Sequence, residues 1–576
     1  MKKRFYWLLI ATLFFAMMAC VSEETTTTSN NTTSPLTTTA LSTLSSSISV
    51  TEEITSFFST TTVTTTIESA NPETSRPTFT IEVTETTSLP TKPTLTTHPT
   101  TNTTTAVSTN AVEMIEIYAM NDFHGGAYSD IANISAIGQY LINEKSTSPY
   151  TLILASGDML QGTALSNEYR GRPVIDAMNR IGFDVFVLGN HEFDWGVETI
   201  QRYQDGNLTN GESAFPFLAA NIVSTETGEL LDWAEPTAIF DLNGIRVGVI
   251  GVIGSEVYGS ISPSMVTGLT FLDEVATIQE YAYTLREEEL CDIVIVSLHY
   301  YDPDMNKIIS DFSGSYRIDA IFNGHSHTSV ADTPGDAYGR TDITIPYAQA
   351  SNYTSSLFTK ITLMYDRSAG VVLSGCAKTL KLQDLSATNS VIDQLLHVYA
   401  SDPEYIEKMS EVLAFSTSSF SKYELAPWGA SVIRDYSGVD VGILNSGGFR
   451  VSMESGDVTM EELVEIYPFD NQIKSSLLTG RQLTDLFEAD AGYLIFDDQV
   501  TYSNGILSLS GVPVGMESKY RIGAVDFIFD DDDFPFLEGE EVQNTNLFMR
   551  DLLAEDLRNN AGSFNPANGT SAPPVA

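Results

Sequence analysis

The chain has 576 residues, more than one hydrophobic core accommodates, so it predicts two domains with appended segments. Its 42% hydrophobic content suits packed domains, and 75 acidic against 29 basic residues give a formal charge of −46. That balance excludes a nucleic-acid polymer as partner, because phosphate backbones need a basic face, and it excludes an electrostatic grip on anionic lipid.

The first predicted element is a leader. Lys2, Lys3 and Arg4 precede ~15 apolar residues, too few to span a bilayer comfortably, which is a signal-peptide layout over residues 1–19. The ending Met-Met-Ala-Cys resembles a bacterial lipobox, with Met17 in place of the usual Leu, so Cys20 is expected to carry a lipid. The alternative is an ordinary cleaved signal peptide in which Cys20 is incidental. Residues 20–111 are rich in Thr and Ser with scattered Pro, a composition that cannot bury a core and predicts a disordered stalk. The expected location is the outer face of a bacterial cell membrane, anchored by lipid alone, or secretion if Cys20 is unmodified. Together with Cys291 and Cys376 the chain has three cysteines, too few for a disulfide scaffold; Cys291, in ELCDIVIV, reads as a buried thiol.

From Met114 the pattern changes to short apolar runs that end in polar residues. MIEIYAM leads to Asn121-Asp122-Phe123-His124, TLILAS to Gly157-Asp158, and DVFVLG to Asn190-His191-Glu192-Phe193-Asp194. CDIVIVS leads to His299, and IDAIFN to Gly324-His325-Ser326-His327. Runs of this length and composition predict buried strands, and the helical stretches between them predict an α/β layered domain. In such sheets, sites form at the carboxyl ends of strands. Only His98 and His397 of the seven histidines lie away from these strand ends. Imidazoles, carboxylates and an amide oxygen make a mixed N/O set suited to Zn, Mn, Fe or similar ions. Asp122, His124, Asp158, Asn190, His299, His325 and His327 exceed what one tetrahedral ion needs; two divalent ions sharing a carboxylate fit better.

In this order the five pieces resemble the dinuclear metallophosphoesterase signature. The stretch from Gly157 to Gly196 is similar to the 5′-nucleotidase branch of that family, as are LAANI at Leu218 to Ile222 and GHSH at Gly324 to His327. The resemblance implies a four-layer α/β/β/α sandwich over residues 112–372. It implies one ion held by Asp122, His124, Asp158 and His327, and a second by Asp158, Asn190, His299 and His325, with Asp158 bridging. It further implies that His191 and Asp194 form a catalytic dyad beside the reacting phosphate. On chemistry alone, His191 can donate a hydrogen bond to a phosphoryl or leaving oxygen while Asp194 fixes its tautomer; Asp194 also reads as a helix N-cap.

The apolar spacing of residues 385–413 predicts a linking helix, with His397 on its face. Residues 414–556 show a second strand–helix rhythm, which resembles the C-terminal nucleotide-recognition domain of the 5′-nucleotidases and implies a second α/β domain that closes over substrate. A strand runs into Asn445-Ser446-Gly447-Gly448-Phe449-Arg450, where glycines permit close approach and Arg450 can clamp a phosphate. The resemblance implies that Asn445 and Arg450 contact substrate, that Phe469 and Phe527 flank a base, and that Asp533 reaches ribose hydroxyls. Both phenylalanines also suit ordinary core packing. Two departures stand out. Asp530 to Asp533 replace a glycine-rich loop, so acids are expected beside the base pocket, and Lys422 stands nearest to a family arginine. Residues 557–576 read as a flexible tail.

The chain is thus expected to be a phosphoric ester hydrolase. Its expected reaction is that of a two-metal-activated water converting a nucleotide phosphomonoester to nucleoside and phosphate. Rival readings are a 2′,3′-cyclic nucleotide phosphodiesterase with 3′-nucleotidase activity, a UDP-sugar hydrolase, and a non-catalytic surface binding protein.

Overall fold

The computed structural model describes residues 112–126, 131–335, 340–351, 358–385, 387–489, 492–560 and 564–570, together with three strand backbones nearer the N-terminus. The leader and Cys20 lie outside the described residues. Among the described residues no helix is long and apolar enough to cross a membrane.

The three N-terminal strands fall in the stretch expected to be disordered. Val50–Ser56, Ser59–Thr65 and Ile81–Thr86 pair antiparallel in that order.

The first large domain is built on two six-stranded sheets. In one, the strands Val371–Leu380, Phe358–Asp366, Val112–Met120, Thr151–Ser156, Val185–Val187 and Phe217–Leu218 lie side by side in that order. In the other the order is Val330–Asp332, Tyr347–Gln349, Ala320–Asn323, Ile293–His299, Arg246–Ile253 and Thr237–Asp241. The central pairings in both are parallel. Strand alternation explains the layers. Ile115, Ile117, Leu152 and Leu154 meet Val247, Val249, Ile293 and Ile295 in a core between the sheets. Tyr118, Met120 and Ile153 face outward and are covered by Ile134, Ile137, Val174 and Met178 of the helices Asn133–Thr147 and Arg172–Ile181. On the far side Ile250, Val294 and Val296 pack against Ile278, Ala282 and Ile309. The result is helix, sheet, sheet, helix. The outer strand continues to Leu380, past the boundary expected at 372.

The expected linking helix is two helices, Ser390–Ala400 and Pro403–Met409. Pro403 cannot extend the first helix but suits the first turn of the second, where Asp402 accepts the Glu404 N–H at 2.9 Å. Ile392 and Leu396 pack on the first domain, whereas Tyr405 and Met409 join Ala164, Leu165 and Val464 in a cluster shared by both domains.

The second domain centres on a mixed five-stranded sheet in the order Leu494–Phe496, Val441–Asn445, Lys519–Val525, Gln472–Thr479 and Glu540–Phe548. Its core includes Trp428, Phe449, Tyr467, Phe529 and Phe536. The tail is not free: the helix Met549–Asn559 is followed by Phe564, 1% exposed, whose ring lies 4.8 Å from that of Trp428. The Phe564 N–H also donates to the Phe415 carbonyl at 2.8 Å. A single aromatic side chain anchors a segment whose polar neighbours suggest a linker.

Candidate active site

Both sheets of the first domain present the carboxyl ends of their parallel strands to one place. Asp122 and His124 follow Val112–Met120, Asp158 follows Thr151–Ser156, and Asn190 and His191 follow Val185–Val187. His299 ends its own strand, and His325 and His327 follow Ala320–Asn323. Asp122, His124, Asp158, His325 and His327 all have positive φ between 50° and 74°, a backbone region that costs ~1–3 kcal/mol for a residue with a side chain. Glycines make the close packing possible. A Cβ at Gly157 or Gly324 would overlap the His299 ring, and one at Gly189 would overlap both Asp158 and His299.

The atoms that could ligate a metal form overlapping groups. Asp122, His124 and His327 make one, Asp158, His299 and His325 a second, and His124, Asp158 and His191 a third, each with its atoms within 4.8 Å of one another. Nδ1 of His299 faces the Ser156 carbonyl at 2.8 Å, and Nδ1 of His124 faces the Gln161 carbonyl at 3.1 Å. With the ring proton given to each carbonyl, Nε2 carries a lone pair. The lone pair of His299 then meets Asn190 Oδ1 at 3.2 Å and Asp158 Oδ2 at 3.2 Å. That of His124 meets His327 Nε2 at 3.1 Å. Asp158 Oδ2 is buried with no hydrogen-bond partner. Acceptors facing acceptors in a buried space need positive charge between them, so the residues fit divalent cations.

The loops are tied from behind. Glu192, buried, accepts backbone N–H bonds from Gly189 and Asp158 at 2.8 Å, Met159 at 2.9 Å and Leu160 at 3.3 Å. Burial and then the Asp158 charge raise its pKa to about 7, against the pull of those N–H groups. Asn121 donates to Asp122 Oδ2 at 2.5 Å and to the Ala350 carbonyl at 2.8 Å. The His325 N–H donates to Asp122 Oδ1 at 2.9 Å. His191 Nδ1 lies 2.8 Å from Asp194 Oδ2. Burial lowers the His191 pKa, but Asp194 and Asp158 outweigh it and leave it raised. Burial raises that of Asp194, with His191 pulling the other way.

One cavity of about 230 Å³ joins this centre to the second domain. Asp158, Asn190, His191, Asp194, His325 and His327 line it from one side, and Arg450, Phe469 and Phe527 from the other. The Phe469 ring centroid is 5.8 Å from that of His191, and the Arg450 guanidinium lies 5.9 Å from the Phe469 centroid. Lys422 does not line the cavity; burial and then the charge of Arg450 lower its pKa.

Two expected residues fall elsewhere. Asn445 ends its strand, its carbonyl accepts the Gly448 N–H at 3.1 Å, and only Gly447 of that turn reaches the cavity. Asp533 is exposed, and its backbone N–H donates to the Asp531 carboxylate at 2.9 Å in a local turn. Of the acidic stretch, Asp532 and Asp533 are exposed, whereas Phe534 and Phe536 beside them are buried in the core. Asp530 is held by Lys474 at 2.6 Å. The polar residues that do line the aromatic side are Asp470, Asn471 and Asp526, with Asn471 donating to Asp526 at 2.9 Å. Each sits one or two positions from an expected ring, which is the signal that would have found it.

Two packed sheets that gather Asp, Asn and His at their carboxyl edges define a metallophosphoesterase-type domain. Residues 115–329 match the calcineurin-like phosphoesterase family and residues 405–539 match the 5′-nucleotidase C-terminal domain. The chain is therefore a calcineurin-like phosphoester-hydrolase domain joined to a 5′-nucleotidase C-terminal domain. It is 26% identical over 374 residues to an apyrase of Tabanus yao, covering 60% of this chain and 65% of the apyrase. It is 23% identical over 479 residues to a 5′-nucleotidase of Vibrio cholerae, covering 72% of this chain and 84% of that protein. Two Bacillus subtilis relatives are spanned over only 32% and 26% of their lengths. The fold matches the crystal structure of a 5′-nucleotidase precursor from Thermus thermophilus, with a TM-score of 0.64, 19% identity, and 78% and 97% of the two chains covered.

Proposed function

We propose that the protein hydrolyses nucleotide phosphomonoesters, 5′-nucleotides above all, to nucleoside and phosphate outside the cell. The observation that carries this reading is the single cavity in which Asp158, His325 and His327 face Arg450, Phe469 and Phe527. Metal ligands alone would fit many phosphoesters; an arginine and two aromatic rings on the opposite wall fit a phosphate attached to a planar base.

Two divalent cations, one held by Asp122, His124, Asp158 and His327 and the other by Asp158, Asn190, His299 and His325, would activate water and offset phosphoryl charge. The chain's own residues do the rest. Arg450 draws the phosphate toward the ligand cluster. His191, its Nδ1 fixed by Asp194, offers its other nitrogen to a phosphoryl or leaving oxygen. Phe469 and Phe527 stack on the base, and Asn471 with Asp526 offers polar groups beside it. The two domains together exclude bulk water from the buried centre. The leader and Cys20 support an outer, lipid-held location.

The test is phosphate release by the purified protein from 5′-AMP, 3′-AMP, 2′,3′-cyclic AMP, ATP and UDP-glucose, with Mn²⁺ or Zn²⁺ and with chelator. Chelator-sensitive turnover of 5′-AMP above the others is the expected result. Preference for the cyclic substrate would move the specificity to a phosphodiesterase, and no release from any substrate would overturn the reading.

A further inference from the structure

Asp470 and Pro468 flank Phe469, and both are gripped by the first domain. Asn167 is buried at the end of the short helix Ala164–Glu168. Its Oδ1 accepts the Gly162 N–H at 2.8 Å, within the loop that begins at Asp158. Its Nδ2 donates across the domain boundary to the Pro468 carbonyl at 3.1 Å. Three residues on, Arg170 Nη1 donates to Asp470 Oδ2 at 2.6 Å. The same guanidinium lies 5.6 Å from the ring centroid of Trp195, the neighbour of Asp194. Arg550 of the second domain takes the other Asp470 oxygen.

The turn that presents Arg170 is itself pinned. Arg170 has φ 54°, a strained value for a residue with a side chain. Arg202 donates to the carbonyls of Tyr169 and Arg170 at 3.3 and 3.2 Å. The strain is held where one cation can touch both the dyad segment and the aromatic loop.

We propose that Asn167 and Arg170 form an interdomain latch that seats the Pro468–Asn471 loop on the phosphoesterase centre and so sets the position of Phe469 against His191. Both are positioning residues and neither touches the reacting atoms. The latch determines how well a base-bearing substrate is held, whereas a phosphate ester that does not use Phe469 is indifferent to it. The kinetic part rests on the nucleotidase reading; the structural part does not.

The experiment compares the full protein with its Arg170→Ala, Arg170→Lys and Asn167→Asp variants. Asp at 167 keeps the acceptor for Gly162 and removes the donor to Pro468. Hydrogen exchange is measured on metal-free, substrate-free protein. Exchange across 467–472 is expected to quicken in Arg170→Ala and Asn167→Asp, with 121–126 and 156–162 unchanged, and Arg170→Lys is expected to recover part of the protection. Arg170→Ala is expected to raise KM for 5′-AMP about five-fold, a modest effect for a partly exposed ion pair, with kcat on p-nitrophenyl phosphate within about two-fold. Unchanged exchange at 467–472 in both variants overturns the latch. So does a parallel loss on both substrates, which would mean damage to the centre itself. If wild type does not turn over nucleotides, the functional reading fails while the exchange data still decide the latch.

Discussion

The two walls of the cavity are built on opposite plans. On the phosphoesterase wall, five of the seven ligands expected from the sequence sit in left-handed backbone, and glycines leave no room for a Cβ beside His299. On the aromatic wall, Arg450, Phe469, Asn471, Asp526 and Phe527 do not have such backbone. The first wall is fixed by the chain path, so changing it means changing the fold around it. The second is a set of side chains on ordinary backbone and can be altered one at a time. On the function proposed above, the chemistry rests on the backbone of one domain and the selectivity on side chains of the other.

Substitutions can break that comparison. Asp158→Ala removes the carboxylate shared by two of the ligand groups and should lower kcat on both 5′-AMP and p-nitrophenyl phosphate by ~10³-fold or more. Retained turnover of the simple ester would show that the centre does not depend on this residue. Glu192→Gln places an amide where two backbone N–H groups need an acceptor, and should weaken divalent cation binding by about 10–100-fold, read by calorimetry. Phe469→Ala should raise KM for 5′-AMP about ten-fold, as expected for one lost stacking partner, and leave p-nitrophenyl phosphate within about two-fold. An equal effect on both substrates would place Phe469 in the chemistry instead. Asp533→Ala should change neither constant by more than about two-fold, because the residue is exposed and does not line the cavity. A larger effect would return Asp533 to the ribose site expected from the sequence.

The uneven legibility of the sequence follows from the same division. Strand ends carrying Asp, Asn and His have a local signature, because period-two apolar runs and the polar residue that follows them are contiguous. Hence the ligand cluster and the layer order could be read. The grip of Glu192 is a side chain meeting four backbone N–H groups, which have no letter in the sequence. Asn167 and Arg170 meet partners some 300 positions away, through contacts that only the packed domains create. Asn445 and Asp533 were placed by motif position. Neither lines the cavity, although Gly447, two positions from Asn445, does, and Phe534, next to Asp533, is buried in the core. Phe564 was hidden by its polar surroundings.

The strand Val112–Met120 lies between Thr151–Ser156 on one side and Phe358–Asp366 on the other. Thr359 Oγ1 reaches the Ala119 carbonyl across 240 positions of chain. During synthesis at roughly 5–20 residues per second, the segment that carries Asp122 and His124 exists for about 10–50 s before its second neighbour is made. Such long-range closure is also slow once the chain is free. The cluster of imidazoles and carboxylates is therefore expected to form late, once His325 and His327 have been made and the sheets that carry its members have closed.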